Sequence, residues 1–255
     1  MRNLKRALSL ALAAIMLVGM MVVSASAASY NNLTDKDEIV NKDAVSMLVS
    51  LGIIEGKPDG SYGPTENVDR AQMAKMLSVI MNKGVDNSAL YQSVNSGLTD
   101  ITSHWAKGHI NYCYTTGIIA GRGNGKFDPS ATVTALEAAK MLLVAVGYDP
   151  AIEGFEGADW AINVSVRADE QGIFEGFTKD LSAPLNRDDA ALLIYNALDV
   201  EMIQSYTTNN YPIVYSDHRT ILSDKYGVIK VEGVVTANEW AILDDDTDTA
   251  LQEGK

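Results

Sequence analysis

One turn that begins with a glycine occurs three times in this chain, and this repetition constrains the fold more than any other feature. The copies begin at Gly52, Gly117 and Gly172, and each reads Gly-Ile-(Ile/Phe)-x-Gly with a proline twelve residues after its first glycine. Repetition of this kind is typical of a structural unit that is copied along the chain and shares a core with its neighbours. The sequence therefore predicts three similar units rather than three unrelated segments.

A short amphipathic helix is predicted before each of these glycines. In the second copy Trp105, His109, Tyr112 and Cys113 recur at i, i+4, i+7 and i+8, and Trp160 begins the corresponding stripe in the third copy. The repeated glycine then stands where a helix commonly ends in a residue with the left-handed conformation.

A longer helix is predicted after each turn. Asp69, Thr134 and Asn186 are suitable N-cap residues, and apolar residues follow each of them at i, i+3, i+4 and i+7. Each long helix thus has one apolar face that needs neighbours. The predicted fold is mainly α, with three pseudo-symmetric helix–loop–helix repeats around a central three-helix bundle, followed by a short β-rich C-terminal segment.

The beginning of the chain has the pattern of a secretory signal peptide. A basic start is followed by an apolar run and by small residues before Ala28. A membrane anchor is the alternative, and it is disfavoured because small residues follow the apolar run instead of a stop-transfer pattern. The predicted organisation is a signal peptide over 1–28 and repeats over 29–96, 97–153 and 154–199.

Residues 200–255 differ in character from the repeats. They are rich in Val, Ile and Tyr with partial alternation, which predicts β-strands. Only two or three strands fit, and an isolated hairpin is marginally stable. We therefore expect this segment to begin a further module, in a chain that is a fragment of a longer protein; a small appendage is the alternative.

The composition excludes several classes of partner and chemistry. The formal net charge is −13, and removal of the three basic residues in 1–28 would make it −16, which disfavours nucleic acid as a partner. The lone Cys113 forbids an internal disulfide and is expected to be a small buried hydrophobe. The three histidines lack metal-ligand spacing, and Asp244–Asp248 lacks the glycine and glutamate of an EF-hand loop. No cofactor, metal or catalytic residue is predicted.

Taken in order, these motifs resemble the S-layer homology (SLH) domain in an array of three. Leu-Thr-Asp, His-Trp-Ala, Gly-Ile-Ile-x-Gly, Asp-Gly-x-(Tyr/Phe)-x-Pro and (Asp/Thr)-Arg-Ala-(Gln/Glu) are spread over about residues 30–199. The resemblance implies an exported, non-enzymatic anchor at the cell wall or S-layer, on the extracellular face. Its implied ligand is secondary cell-wall polysaccharide, often bearing pyruvate ketals, bound in grooves between neighbouring repeats. Other S-layer subunits are a further expected partner, and no membrane contact is expected after signal cleavage.

The resemblance also assigns candidate glycan-binding residues. By position, two arginines match the family's motif arginine, two tryptophans match its tryptophan, and four residues match its glycine-rich loop. Ala135 stands in the arginine's place in the second copy, and Val40 stands in the tryptophan's place in the first. The groove headed by the second copy is therefore expected to be weak or silent. The predicted set is Arg70, Arg187, Trp105, Trp160, Asp59, Gly60, Gly56 and Gly121.

Each of these assignments has a purely structural alternative. A guanidinium fork suits a planar carboxylate, yet Arg70 and Arg187 can equally be solvated charges at a helix terminus. Trp105 and Trp160 can be core anchors, since Trp hides a large apolar area. The glycines can serve backbone conformation alone.

Two rival functions remain open from the sequence. In the first, the repeats anchor a glycoside or peptide hydrolase whose catalytic domain lies beyond Lys255. In the second, the repeats mediate self-assembly and bind no glycan.

Overall fold

The structure is a computed structural model that describes residues 29–229, so the predicted signal peptide and the run Asp244–Asp248 lie outside the described residues. The described part is mainly α-helical with one two-stranded antiparallel sheet, which confirms the predicted fold class. The helices and strands in chain order are α1 (Lys42–Ser50), α2 (Arg70–Met81), α3 (Lys107–Thr115), α4 (Ala135–Ala145), α5 (Trp160–Glu170), α6 (Arg187–Ala197), β1 (Ile203–Tyr206), β2 (Pro212–Val214) and α7 (Ile221–Tyr226).

The first six helices form three pairs, each a short helix, a turn and a long helix. We call them pair 1 (α1 and α2), pair 2 (α3 and α4) and pair 3 (α5 and α6). After each short helix the repeated glycine has positive φ, namely +70° at Gly52, +80° at Gly117 and +70° at Gly172. Residues other than glycine rarely adopt this backbone conformation. The glycines therefore end the short helices as predicted.

Side-chain caps start the long helices where the sequence predicts them. Asp69 and Thr134 each accept a hydrogen bond from the backbone N–H three residues on and complete a capping box with Gln72 and Glu137. Asn186 accepts from the N–H of Asp189 in the same way. These caps fix where each long helix begins.

A closed ring of backbone hydrogen bonds joins the three pairs just before those caps. Val68 N–H donates to the carbonyl of Leu185 at 2.8 Å, Leu185 donates to Val133 at 2.8 Å, and Val133 donates back to Val68 at 2.9 Å. All three side chains are buried. The N-termini of α2, α4 and α6 therefore meet around one point, which we call the hub.

The helices pack across pairs rather than within them. Helix α3 packs on α2, α5 packs on α4, and α1 closes the circle on α6. The long helices bring Leu77, Leu142 and Leu193 into one continuous apolar core. Cys113 is fully buried in this core as a free thiol, as expected.

The segment after pair 3 is attached to the same core. The N–H of Ile203 donates to the carbonyl of Val146 at 2.9 Å, and the hydroxyl of Tyr226 donates to the carbonyl of Ile80 at 3.3 Å. Helix α7 was not predicted, since six residues are too few for a clear periodicity. The predicted strands beyond residue 229 lie outside the described residues. In residues 29–229, no helix combines the length and apolar character needed for a bilayer span.

Candidate ligand-binding site between helix pairs

Arg70, the first residue of α2, clamps pair 1 to the turn of pair 2. Its Nε donates to the carbonyl of Phe127 at 2.9 Å, and Nη2 donates to the carbonyl of Ala120 at 2.8 Å. Its guanidinium carbon also lies 4.4 Å from the centre of the Phe127 ring. Arg70 is only 4% exposed, so the solvated-charge alternative does not describe it. Burial, aided by the nearby Arg122, lowers the pKa of Arg70 to about 10.

Arg187, the first residue of α6, clamps pair 3 to the turn of pair 1 with the same geometry. Its Nε donates to the carbonyl of Tyr62 at 2.8 Å, and Nη2 donates to the carbonyl of Glu55 at 3.3 Å. Its guanidinium carbon lies 4.7 Å from the centre of the Tyr62 ring, and the Tyr62 hydroxyl donates to the Arg187 carbonyl at 2.8 Å. Two of the interfaces between pairs therefore repeat one arrangement.

A cavity of about 360 Å³ lies beside the first arginine, and we call it the Arg70 cavity. It brings together three of the predicted residues, Arg70, Gly121 and Trp160, which come from pairs 1, 2 and 3 respectively. Two further cations, Arg122 and Lys140, line the same space together with two carboxylates, those of Glu137 and Glu156. The cavity therefore lies where the three pairs meet, and both cationic and aromatic side chains line it.

The two additional cations have different surroundings. Arg122 is ion-paired with Glu137, with 2.6 Å between Nη2 and Oε1. Lys140 donates from Nζ to the carbonyl of Phe155, and its Nζ lies 5.7 Å from the centre of the Trp160 ring. Burial lowers the pKa of Lys140 from its ordinary value, and the charge of Glu156 opposes that effect.

A smaller cavity of about 170 Å³ lies beside the second arginine, and we call it the Arg187 cavity. Of the predicted residues it contains Arg187 and Gly56. Its other cations are Lys57, which is ion-paired with Glu66, and Lys75, whose Nζ lies 3.5 Å from Oε2 of Glu55.

Three predicted residues lie outside both cavities. Trp105 is 56% exposed, and its ring lies in a T-shaped arrangement with that of His109, with 6.3 Å between the ring centres. Asp59 accepts hydrogen bonds from the N–H and hydroxyl of Ser61, at 2.9 and 2.7 Å, and the Ser61 N–H lowers the pKa of that carboxyl. Gly60 has φ +85°, and its carbonyl accepts from the N–H of Thr34 at 3.0 Å. In this structure Asp59 and Gly60 shape the turn of pair 1.

The third interface, between pairs 2 and 3, lacks the arginine clamp. Ala135 is fully buried at the position that holds Arg70 and Arg187 in the other two. In the turn of pair 3, Phe177 stands where pair 2 has Arg122. At the tryptophan position of pair 1, Val40 is exposed, and its N–H donates to Asp188 at 3.3 Å.

Sequence reasoning missed Arg122 and Lys140. A signal for both was available, because each has a cation 65 residues earlier, at Lys57 and Lys75, in the register set by the repeated glycines. Residues 29–229 contain no group of His, Cys, Asp and Glu side chains that could hold a metal ion.

These repeats are similar to those of a known protein family. The model of the S-layer homology domain family matches residues 32–74 and 97–139. A cell surface protein of Thermoanaerobacter kivui is 28% identical across the whole of this chain, which covers 31% of that protein. An S-layer protein of Bacillus licheniformis is 33% identical over 113 residues, 44% of this chain and 12% of that protein. An amylopullulanase of Thermoanaerobacterium thermosulfurigenes is 31% identical over 172 residues, 62% of this chain and 9% of that enzyme. The chain thus spans about a third or less of each relative's length.

Proposed function

The chain carries S-layer homology domains, and from that premise we propose that it is a non-catalytic anchor that holds an exported protein to the bacterial cell wall. Its ligand on this proposal is secondary cell-wall polysaccharide, bound without a covalent link at the extracellular face. The relatives named as S-layer and cell surface proteins support this location.

The observation that carries the proposal is the Arg70 cavity. It combines cationic donors with the indole of Trp160 at an interface between pairs. A carboxylate on a sugar, such as that of a pyruvate ketal, is recognised well by charged hydrogen-bond donors. An indole face suits a sugar ring, because it offers a large apolar surface. Arg70, Gly121 and Trp160 are therefore the predicted residues that we assign to the ligand site.

The overall charge makes such local cations necessary. A mature net charge of −16 would repel an anionic polymer at long range, whereas contacts inside a cavity are screened less by salt. Added salt should therefore weaken the long-range repulsion more than the contacts inside the cavity.

We also propose that pair 3 is a third, divergent repeat, with bounds 29–96, 97–153 and 154–199 for the three. The family model does not extend to pair 3. Three observations support the assignment: Gly172 has positive φ, Asn186 caps α6, and Leu185 completes the hub.

The experiment is co-sedimentation with purified cell-wall sacculi. The protein should pellet with sacculi that retain their polysaccharide and stay in solution with sacculi from which it has been stripped. Equal pelleting with both preparations would contradict the proposal. Self-association without sacculi would favour the assembly alternative instead.

The amylopullulanase among the relatives supports a second possibility, a protein that also carries a catalytic domain. In that case the same module would display a hydrolase, and residues 29–229 would still be the anchor. Assaying secreted full-length protein for glycoside and peptide hydrolysis separates the two possibilities.

A further inference from the structure

Lys140 stands out among the cations of the Arg70 cavity. Arg70 directs its Nε and Nη2 to backbone carbonyls, and Arg122 is paired with Glu137. Lys140 has one hydrogen bond to the Phe155 carbonyl, and no carboxylate in residues 29–229 forms a salt bridge with it. An ammonium group has three donors, so Lys140 retains two for a ligand.

This unpaired charge is also partly removed from water. The Lys140 side chain is half-buried between the Phe155 carbonyl and the Trp160 ring. A buried charge is unfavourable unless it is paired. Glu156 lines the same cavity and acts on Lys140 without forming a salt bridge with it. An anion entering the cavity would supply a direct charged partner, whereas a neutral sugar would not.

The equivalent lysine of the Arg187 cavity already has its partner. Lys75 is ion-paired with Glu55, and Lys57, the counterpart of Arg122, is ion-paired with Glu66. Glu55 occupies the turn position that is Ala120 in pair 2. The number of cations is therefore not what separates the cavities, since each has three in its lining. The difference is where the carboxylates pair: Glu55 is ion-paired with Lys75, whereas Glu137 is paired with Arg122 and Glu156 forms no salt bridge with Lys140 in residues 29–229.

The third interface has no cation at any of these positions. Ala135 replaces the arginine, Phe177 replaces Arg122, and Leu192 replaces Lys140. The turn position of Ala120 is again a glutamate, Glu175.

We propose that Lys140 is the specificity-determining residue of the chain, that it selects an anionic substituent on the glycan, and that each chain has one working site, in the Arg70 cavity. Ala120 leaves that site open, and Glu55 closes its counterpart. The inference rests on the proposed function and adds to it the selecting residue and the number of sites.

The test is calorimetric titration of the purified protein with two synthetic methyl glycosides. One carries a pyruvate ketal, and the other carries the neutral isopropylidene ketal, in which a methyl replaces the carboxylate. Wild-type protein should bind one equivalent of the acidic glycoside and bind the neutral one far more weakly.

Four variants sharpen the test. Lys140→Met should lose about 10- to 100-fold in affinity, as expected for a hydrogen bond to a charged group, and its thermal unfolding curve checks that the variant is folded. Lys140→Arg keeps the charge and should retain part of the affinity. Glu55→Ala should raise the stoichiometry from one to two, because it frees Lys75 and leaves the backbone clamp to Arg187 in place. Ala120→Glu should abolish binding.

Several results would overturn the inference. They are a wild-type stoichiometry of two, equal binding of the two glycosides, no binding of the acidic glycoside, or affinity within about twofold of wild type for a folded Lys140→Met. In each case sedimentation with polysaccharide-bearing sacculi would leave the proposed function standing. Loss of that sedimentation in the wild-type protein would remove the proposed function itself.

Discussion

In the hub the three helix pairs make equivalent contacts, whereas the interfaces at their outer edges carry three different sets of charges. In the hub, Val68, Val133 and Leu185 exchange equivalent backbone hydrogen bonds of 2.8–2.9 Å. At the edges, Lys140 has no salt bridge in residues 29–229, Lys75 is ion-paired with Glu55, and Leu192 takes the lysine's place in pair 3. The repeated pattern therefore preserves the residues through which the pairs fold together, whereas the charged residues at their edges differ.

The largest effect is expected in the shared core. Leu142→Ala should lower the free energy of unfolding by about 2–5 kcal/mol, because it opens a cavity among the long helices. Chemical denaturation measures this, with Glu55→Ala as the matched change at an edge. A loss no greater than that of Glu55→Ala would contradict a common core.

The two arginine clamps should differ in strength. Arg70→Ala should cost about 1–3 kcal/mol, because it leaves the buried carbonyl of Phe127 without a donor. Arg187→Ala should cost about 0.5–1.5 kcal/mol, since its bond to Glu55 is longer and more exposed. Denaturation of both variants tests the ranking, and a more damaging Arg187→Ala would reverse it.

Acid should weaken the contact between pairs 1 and 2. His109 of α3 is buried against Ser78 of α2, with 2.6 Å between Nδ1 and Oγ. Burial lowers the pKa of His109 below its ordinary 6.5, against the opposing charge of Asp86. Its contribution to stability is therefore complete above pH 6.5 and is lost as the pH falls below that value.

Thermal unfolding at pH 7 and pH 5 checks the effect of His109. The His109→Gln variant should lose less stability on acidification than wild type does. An identical loss in the two proteins would show that His109 is not responsible.

The smallest effect is expected for an exposed ion pair at an edge. Glu66→Gln removes the partner of Lys57, whose side chain is 31% exposed while that of Glu66 is 54% exposed. Surface pairs of this kind contribute about 0.2–1 kcal/mol. A loss comparable with that of Leu142→Ala would mean that the edges, and not the core, hold the pairs together.

What the sequence predicts well is local. The glycines with positive φ and the caps at Asp69, Thr134 and Asn186 depend on residues within one turn of chain, so their spacing carries the information. These features lie where they were predicted.

What the sequence does not predict depends on distant partners. The carbonyls to which Arg70 donates are 50 and 57 residues away in the chain. The motif around Arg70 therefore does not predict these contacts. The contrast between Lys140 and Lys75 depends on Ala120 and Glu55, which become their neighbours only after folding. Trp105 and Trp160 match the same motif position, yet only Trp160 lines one of the two arginine cavities.

This contrast between the two tryptophans offers the most direct test of cell-wall anchoring through the Arg70 cavity. Polysaccharide released from the cell wall should be titrated into isotope-labelled protein while the indole N–H signals are followed by NMR. Binding in the Arg70 cavity predicts that the Trp160 signal shifts while the Trp105 signal stays in place. A shift of Trp105 alone, or no shift of Trp160 at saturating polysaccharide, would contradict it.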